Sequence, residues 1–209
     1  RGIMSADAKA RDFPAEKPVN LGTMFEYLQT IAESLEGITR WKARADIAGQ
    51  TVAENDLEHS FKTALFTVLC AVEENAGRPS WDRLNTGLLA VIALIHDIAE
   101  IHTGDNASFK KQASDQEEEY DAFLRITEPL PHVTREFLRL AFRHAIPKSR
   151  HFVDTRESRF FRAVEKLGFL KRGLHECRAG NLHFAPKNFD RDIPLILEDA
   201  NEFPSLGDH

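Results

Sequence analysis

The chain has 209 residues, 42% hydrophobic and 29% charged, enough for one well-buried domain. Its formal charge of -6, with no clustered run of Lys and Arg, argues against a nucleic-acid partner. Cys70 and Cys177 are far apart and neither sits in a CxxC pair, which excludes a disulfide scaffold and suggests a reducing compartment. No window approaches the roughly 20 uninterrupted apolar residues that a bilayer crossing needs. The first ten residues also lack an apolar signal-peptide core, so the expectation is a cytoplasmic protein with no membrane partner.

Apolar residues recur at spacings of three and four almost throughout, without the alternation that marks strands, which predicts an all-α helical bundle. Residues 1–23 read as a peripheral N-terminal extension and residues 24–209 as a single domain. MFEYLQTIAESLE (24–36) is an amphipathic helix stopped at Gly37, and a loop of mixed polarity follows. The helix at 56–76 places Leu57, Phe61, Leu65, Val68, Leu69 and Val72 on one stripe, expected to face the core, with Asp56 as N-cap and Gly77 past the end. The next helix is expected to open at Ser80 or Trp81. It has no polar residue from Leu88 to Ile95, which makes it central, and it ends near Thr103-Gly104. Ser114 and Glu117 match a capping box for SDQEEEYDAFLRI. Pro129 and Pro131 break that helix, TREFLRLAFRHAI forms another, a long one runs from Glu157 to about Glu176, and a short one covers about 187–200.

The informative stretch is LIHDIAEIHTGD, residues 94–105. His96 and Asp97 end an apolar run, where an unpartnered carboxylate costs several kcal/mol by desolvation. Such a carboxylate is paired, protonated or bound to a metal. Glu100 lies on the same side of the helix and Asp105 follows the turn at Gly104, so like charges accumulate and a divalent cation would resolve the conflict. His96-Asp97 alone is equally compatible with a hydrogen-bonded pair without metal. His59, in the first turn of a mostly buried helix, shifts the balance, because imidazole and carboxylate are the ligands that borderline-hard divalent ions select.

In this combination the sequence resembles the HD-domain metal-dependent phosphohydrolases, and most closely the bacterial 5'-deoxynucleotidase subgroup. Arg40-Trp41, ENDLEHS (54–60), HDIAE (96–100) and TGD (103–105) stand in the subgroup's order over roughly residues 38–180, with AGN (179–181) also similar. The resemblance implies an all-α HD domain that binds one divalent ion (Co, Mn, Mg, Zn, Fe or Ni) and hydrolyses a small-molecule substrate. That substrate would be a 5'-(deoxy)nucleoside monophosphate. It implies His59, His96 and Asp97 as metal ligands, and Glu100 as general base or orienter of the attacking water. Asp105 would hold that water or the substrate. Arg40 and Trp41 would meet phosphate and base, and Lys111 falls where the family has a lysine after TGD. Relatives are often homodimers, so a homodimer is a further expectation.

Two departures stand out. Glu165, in FFRAVEKLGFL, takes the place of the family's last aspartate ligand; it sits on an apolar face between Phe161 and Phe169, which favours a ligand over a salt bridge to Arg162. The loop after TGD lacks the subgroup's prolines, and the stretch from Trp41 to His59 is longer than usual. A single-metal site follows if His102, His132 and His144 are surface or loop residues. Rival readings are an HD-type phosphodiesterase acting on another nucleotide, a dinuclear oxygenase if the spare histidines converge, and a sensor or interaction domain that has lost turnover.

Overall fold

The computed structural model describes residues 21–40, 54–105, 111–181 and 186–208. The elements are α1 (Leu21–Glu36), α2 (Asp56–Ala76), α3 (Thr86–Ile95), α4 (Glu100–Thr103), α5 (Ala113–Thr127), α6 (His132–Phe142), α7 (Arg156–Arg178) and α8 (Pro186–Glu202). Short 3-10 turns add Ser80–Asp82 and Pro204–Asp208. Among the described residues there is no strand, only an isolated bridge between Thr39 and Asn55. The all-α expectation therefore holds. Residues 1–20 of the expected extension lie outside the described residues, and α1 starts three positions earlier than expected.

As its apolar sequence predicts, α3 is central, packing on α2, α6 and α7. Leu89, Ile92 and Ala93 meet Phe142, Phe160, Phe161 and Val164 in the core. Phe123 of α5 stacks on Phe142 of α6 with centroids 4.0 Å apart. By length and composition Ser80–Thr103 is apolar enough to cross a membrane. It is not one straight helix, however. It is interrupted between the 3-10 turn and α3 and again at 96–99, α3 is wrapped by three other helices, and the buried Asp97 and Glu100 follow its end.

Four local expectations are corrected. The start of α2 is capped by Asn55, whose side chain accepts from the Glu58 amide at 2.8 Å, while Asp56 turns inward and is fully buried. The expected stripe of α2 points outward: Phe61, Leu65, Leu69 and Val72 are each more than half exposed. The buried face is instead the small, polar one, with Ser60, Ala64, Thr67, Cys70 and Ala71. Trp81 lies in a 3-10 turn and is 87% exposed, and α3 begins at Thr86 under a cap from Asn85, which accepts from the Leu88 amide at 3.0 Å. The capping box of α5 pairs Gln112 with Asp115, two positions ahead of the Ser114–Glu117 pair. Gly104 does close the turn as expected, with φ 75°.

Candidate metal centre

Three segments bring Arg40, His59 and the His96-Asp97 pair together, and each is placed by local backbone chemistry. The Arg40 segment is tied to the entry of α2 by Arg40 N to Glu54 O at 2.9 Å and Asp56 N to Ile38 O at 3.1 Å, which holds Arg40 beside the first turn of α2. His59 lies one turn inside that helix. At the end of α3 the backbone tightens into i→i-3 bonds, Ile98 N to Ile95 O and Glu100 N to Asp97 O, so His96 and Asp97 leave the straight course of the helix and face His59.

One ligand atom from each of His59, His96 and Asp97 lies within 4.8 Å of the others. His96 Nε2 is 3.1 Å and His59 Nε2 3.7 Å from Asp97 Oδ2. His96 Nδ1 lies 2.8 Å from the Ala93 carbonyl oxygen, to which it donates, while its buried Nε2 makes no hydrogen bond. An imidazole anchored through one nitrogen, with the other facing a carboxylate ligand, is the arrangement that a metal-bound histidine needs. His59 Nε2 lies 3.3 Å from the Thr63 hydroxyl; two imidazole nitrogens and a carboxylate oxygen are a donor set that suits a divalent cation.

Charge is concentrated around this point. Arg40 Nη1 is 2.5 Å from Asp97 Oδ2 and 3.3 Å from Asp56 Oδ1. Burial would raise the Asp97 pKa, yet His96 and Arg40 hold it well below the ordinary range. Burial and the charge of Arg40 push His59 down to about 4, so its imidazole is neutral at pH 7, with one ring nitrogen able to serve as a ligand. In His96 burial acts downward, but Asp97 and Glu165 prevail and raise the value, a negative surplus that a bound cation would neutralise in place of the proton. Asp56 is pushed up to about 7 by burial and by Asp97, against Arg40. Asp56, Asp97 and Glu100 form a second close acidic group.

Glu100 is 3% exposed and its pKa is raised well above the carboxylate range by burial and Asp97. Its Oε1 accepts from Lys111 Nζ at 2.9 Å, whereas its buried Oε2 has no partner. Lys111 is buried and also pairs with Glu119 at 2.5 Å, so its ammonium serves two carboxylates. Asp105 lies near enough to raise the pKa values of both Arg40 and Asp56. Glu165 is outside the 4.8 Å grouping but close enough to act on His96, and burial raises its own pKa. Arg162, the alternative partner three residues earlier, lies over the Phe152 ring at 6.0 Å.

Trp41 lies outside the described residues. His102 and His132 are exposed, as expected. His144 is not a surface residue: it is 4% exposed, with Nδ1 3.0 Å from the hydroxyl of Thr155, the cap of α7. Sequence reasoning passed over Asp56 as a cap and gave no role to Glu54 or Glu119. Glu54 is buried, Oε1 2.9 Å from Lys62 and Oε2 3.7 Å from His59 Nδ1, and despite burial its pKa falls to about 2 through His59 and Lys62.

Residues 26–195 match the family described as 5'-deoxynucleotidase YfbR-like. The chain belongs to that family. Membership of the YfbR-like family bears out the expected metal-dependent phosphohydrolase. No curated protein matches the chain in sequence. Solved structures share its fold. An HD-domain phosphohydrolase from Listeria innocua superposes with TM-score 0.68 at 22% identity, over 88% of this chain and 84% of that one. A predicted metal-dependent phosphohydrolase from Magnetospirillum magnetotacticum gives 0.63 at 24%, over 90% and 91%. A protein from Pyrococcus horikoshii gives 0.64 at 20%, over 88% and 98%.

Proposed function

We propose that this YfbR-like chain is a single catalytic domain that hydrolyses 5'-nucleoside monophosphates, 2'-deoxy forms in preference to ribose forms, to nucleoside and phosphate. The observation that carries the reading is the meeting of His59, His96 and Asp97 around one point, with the Nε2 of His96 turned into it beside Asp97 Oδ2. Those three residues, with Glu165 as the fourth, hold one divalent cation. When bound, that cation supplies positive charge to the phosphoryl oxygens and makes water acidic enough to attack near pH 7.

The chain's own groups do the rest. Glu100 takes the proton from the attacking water on Oε2, the oxygen Lys111 leaves free. Lys111, itself held by Glu119, fixes Glu100 and is assigned to the substrate. Arg40 presents a guanidinium to the phosphate, and Asp105 orients it or the substrate. Trp41, next to Arg40 in sequence, is assigned to the base.

Phosphate release from deoxy- and ribonucleoside monophosphates with Mn, Co or Mg, against Asp97→Ala, tests this. Metal-stimulated release that Asp97→Ala abolishes is expected. No release from any nucleotide would refute the nucleotidase and favour a sensor or another phosphodiester substrate, while equal rates on both sugars would refute only the deoxy preference.

The acidic net charge is in keeping with a small-molecule substrate rather than nucleic acid, and the free thiols Cys70 and Cys177 with a cytoplasmic location. A homodimer through α2 would bury the exposed Phe61, Leu65, Leu69 and Val72. Light scattering is expected to report two copies for the wild type and a shift toward one for Leu65→Glu; a monomeric wild type would rule the dimer out.

A further inference from the structure

Beside the metal centre, α2 and α7 enclose a cavity of about 410 Å³, within the size range of small-molecule sites. Its walls follow both helices away from the proposed ligands. On α2 the lining runs His59, Thr63, Phe66, and on α7 it continues the face of Glu165 through Gly168, Phe169 and His175, at helical spacings of three, four and ten. At 1.5 Å per residue, Phe66 lies about 10 Å farther along α2 than His59. The Lys171 ammonium sits 4.4 Å from the Phe66 ring centre, so the two helices are still in contact at that outer end. Arg40 lines the inner end.

Gly168 is the residue that packing among the described residues does not explain. It stands in the middle of α7, where glycine is a poor helix former, and its backbone does not need glycine, since the positive φ angles occur at Gly104 and Gly180. A Cβ at Gly168 would meet nothing within 4 Å among the described residues. Gly173, one and a half turns later, is different: a Cβ there would lie 2.8 Å from Phe189. Among the described residues, the missing side chain at Gly168 opens space in the cavity wall rather than admitting a neighbour.

We infer that the α2–α7 cavity receives the nucleoside part of the substrate, with Gly168 leaving room for the sugar and Phe66 and Phe169 providing apolar faces for the base. Lys171 and His175 meet the polar edge of the base at the mouth. The inference rests on the proposed nucleotidase reading and adds the specificity-determining wall to it.

Gly168→Ala and Gly168→Leu separate occupancy from damage. Alanine improves the helix, so its melting temperature should rise by a degree or more while KM for a deoxynucleoside monophosphate rises about threefold. Leucine should raise KM at least about tenfold with Mn²⁺ affinity, measured by calorimetry, unchanged. An Ala or Leu variant with wild-type Mn²⁺ affinity and unchanged KM would overturn the assignment. A wild-type protein that binds Mn²⁺ yet releases phosphate from no nucleoside monophosphate would instead overturn the reading on which the assignment rests.

Discussion

His96 shows how much a single side chain states about this site. Its Nδ1 is committed to the Ala93 carbonyl, which turns the buried Nε2 toward Asp97 Oδ2 at 3.1 Å. Glu100 is likewise anchored through one atom, with one oxygen on Lys111 and one bare. Glu100→Gln keeps the shape and removes the basicity, so kcat should fall by about 10²–10⁴-fold while Mn²⁺ affinity changes little. A variant with near wild-type kcat would remove Glu100 from the proton's path. His59, His96, Asp97 and Glu100 were legible because polar groups in apolar surroundings demand partners. Glu119 was not: it sits in a run of three glutamates, and nothing local distinguishes it from Glu118, which is exposed, or from Glu117, which accepts from Ser149 at 2.7 Å. Only the fold brings Lys111 to it.

At the level of the helix, α2 is the instructive case, because its bounds were read correctly and its orientation was not. Periodicity shows that one side is apolar but not which side has a neighbour. Ser60, Ala64, Thr67 and Ala71 form a ridge of small residues, and α3, the helix with which α2 packs most extensively, lies against that side. The larger side chains are left facing outward. The same helix depends on its first turn: Asn55 caps the Glu58 amide, and Asp56 and His59 take their positions from that turn. Asn55→Ala should cost about 1 kcal/mol of stability, read as a lower urea midpoint. It should also weaken Mn²⁺ binding, because the turn that carries His59 frays. An unchanged midpoint would show that the Thr39–Asn55 bridge alone secures the entry.

Across the whole molecule, the C-terminal segment is fastened back onto α2. Glu74 accepts from the Ser205 hydroxyl at 2.7 Å and its amide at 3.1 Å and pairs with Arg78, while Phe203 packs edge-on against Phe160 with centroids 5.0 Å apart. Burial alone would raise the Glu74 pKa, but the bonds from Ser205 and Arg78 outweigh it and lower the value. A carboxyl with a depressed folded pKa contributes stability that is fully present above its unfolded value of about 4.3 and is lost as pH falls through the folded one. Glu74→Gln should therefore lower stability by roughly 1–2 kcal/mol at pH 7. The gap to the wild type should close as pH falls below about 4. A gap that persists at pH 3 would show that the carboxylate charge is not what holds the segment.

The order and spacing of residues along the chain were sufficient for the helical class, for most helix positions and for singling out His59, His96 and Asp97, which the fold brings together. These depend on local periodicity and on the cost of placing charge in apolar surroundings, and both are written in a single segment. Tertiary packing alone decided that α2 turns its small face inward, that Lys111 lies between Glu100 and Glu119, and that Gly168 opens onto a cavity. Each depends on what a distant helix places opposite, and no local pattern encodes the identity of that neighbour.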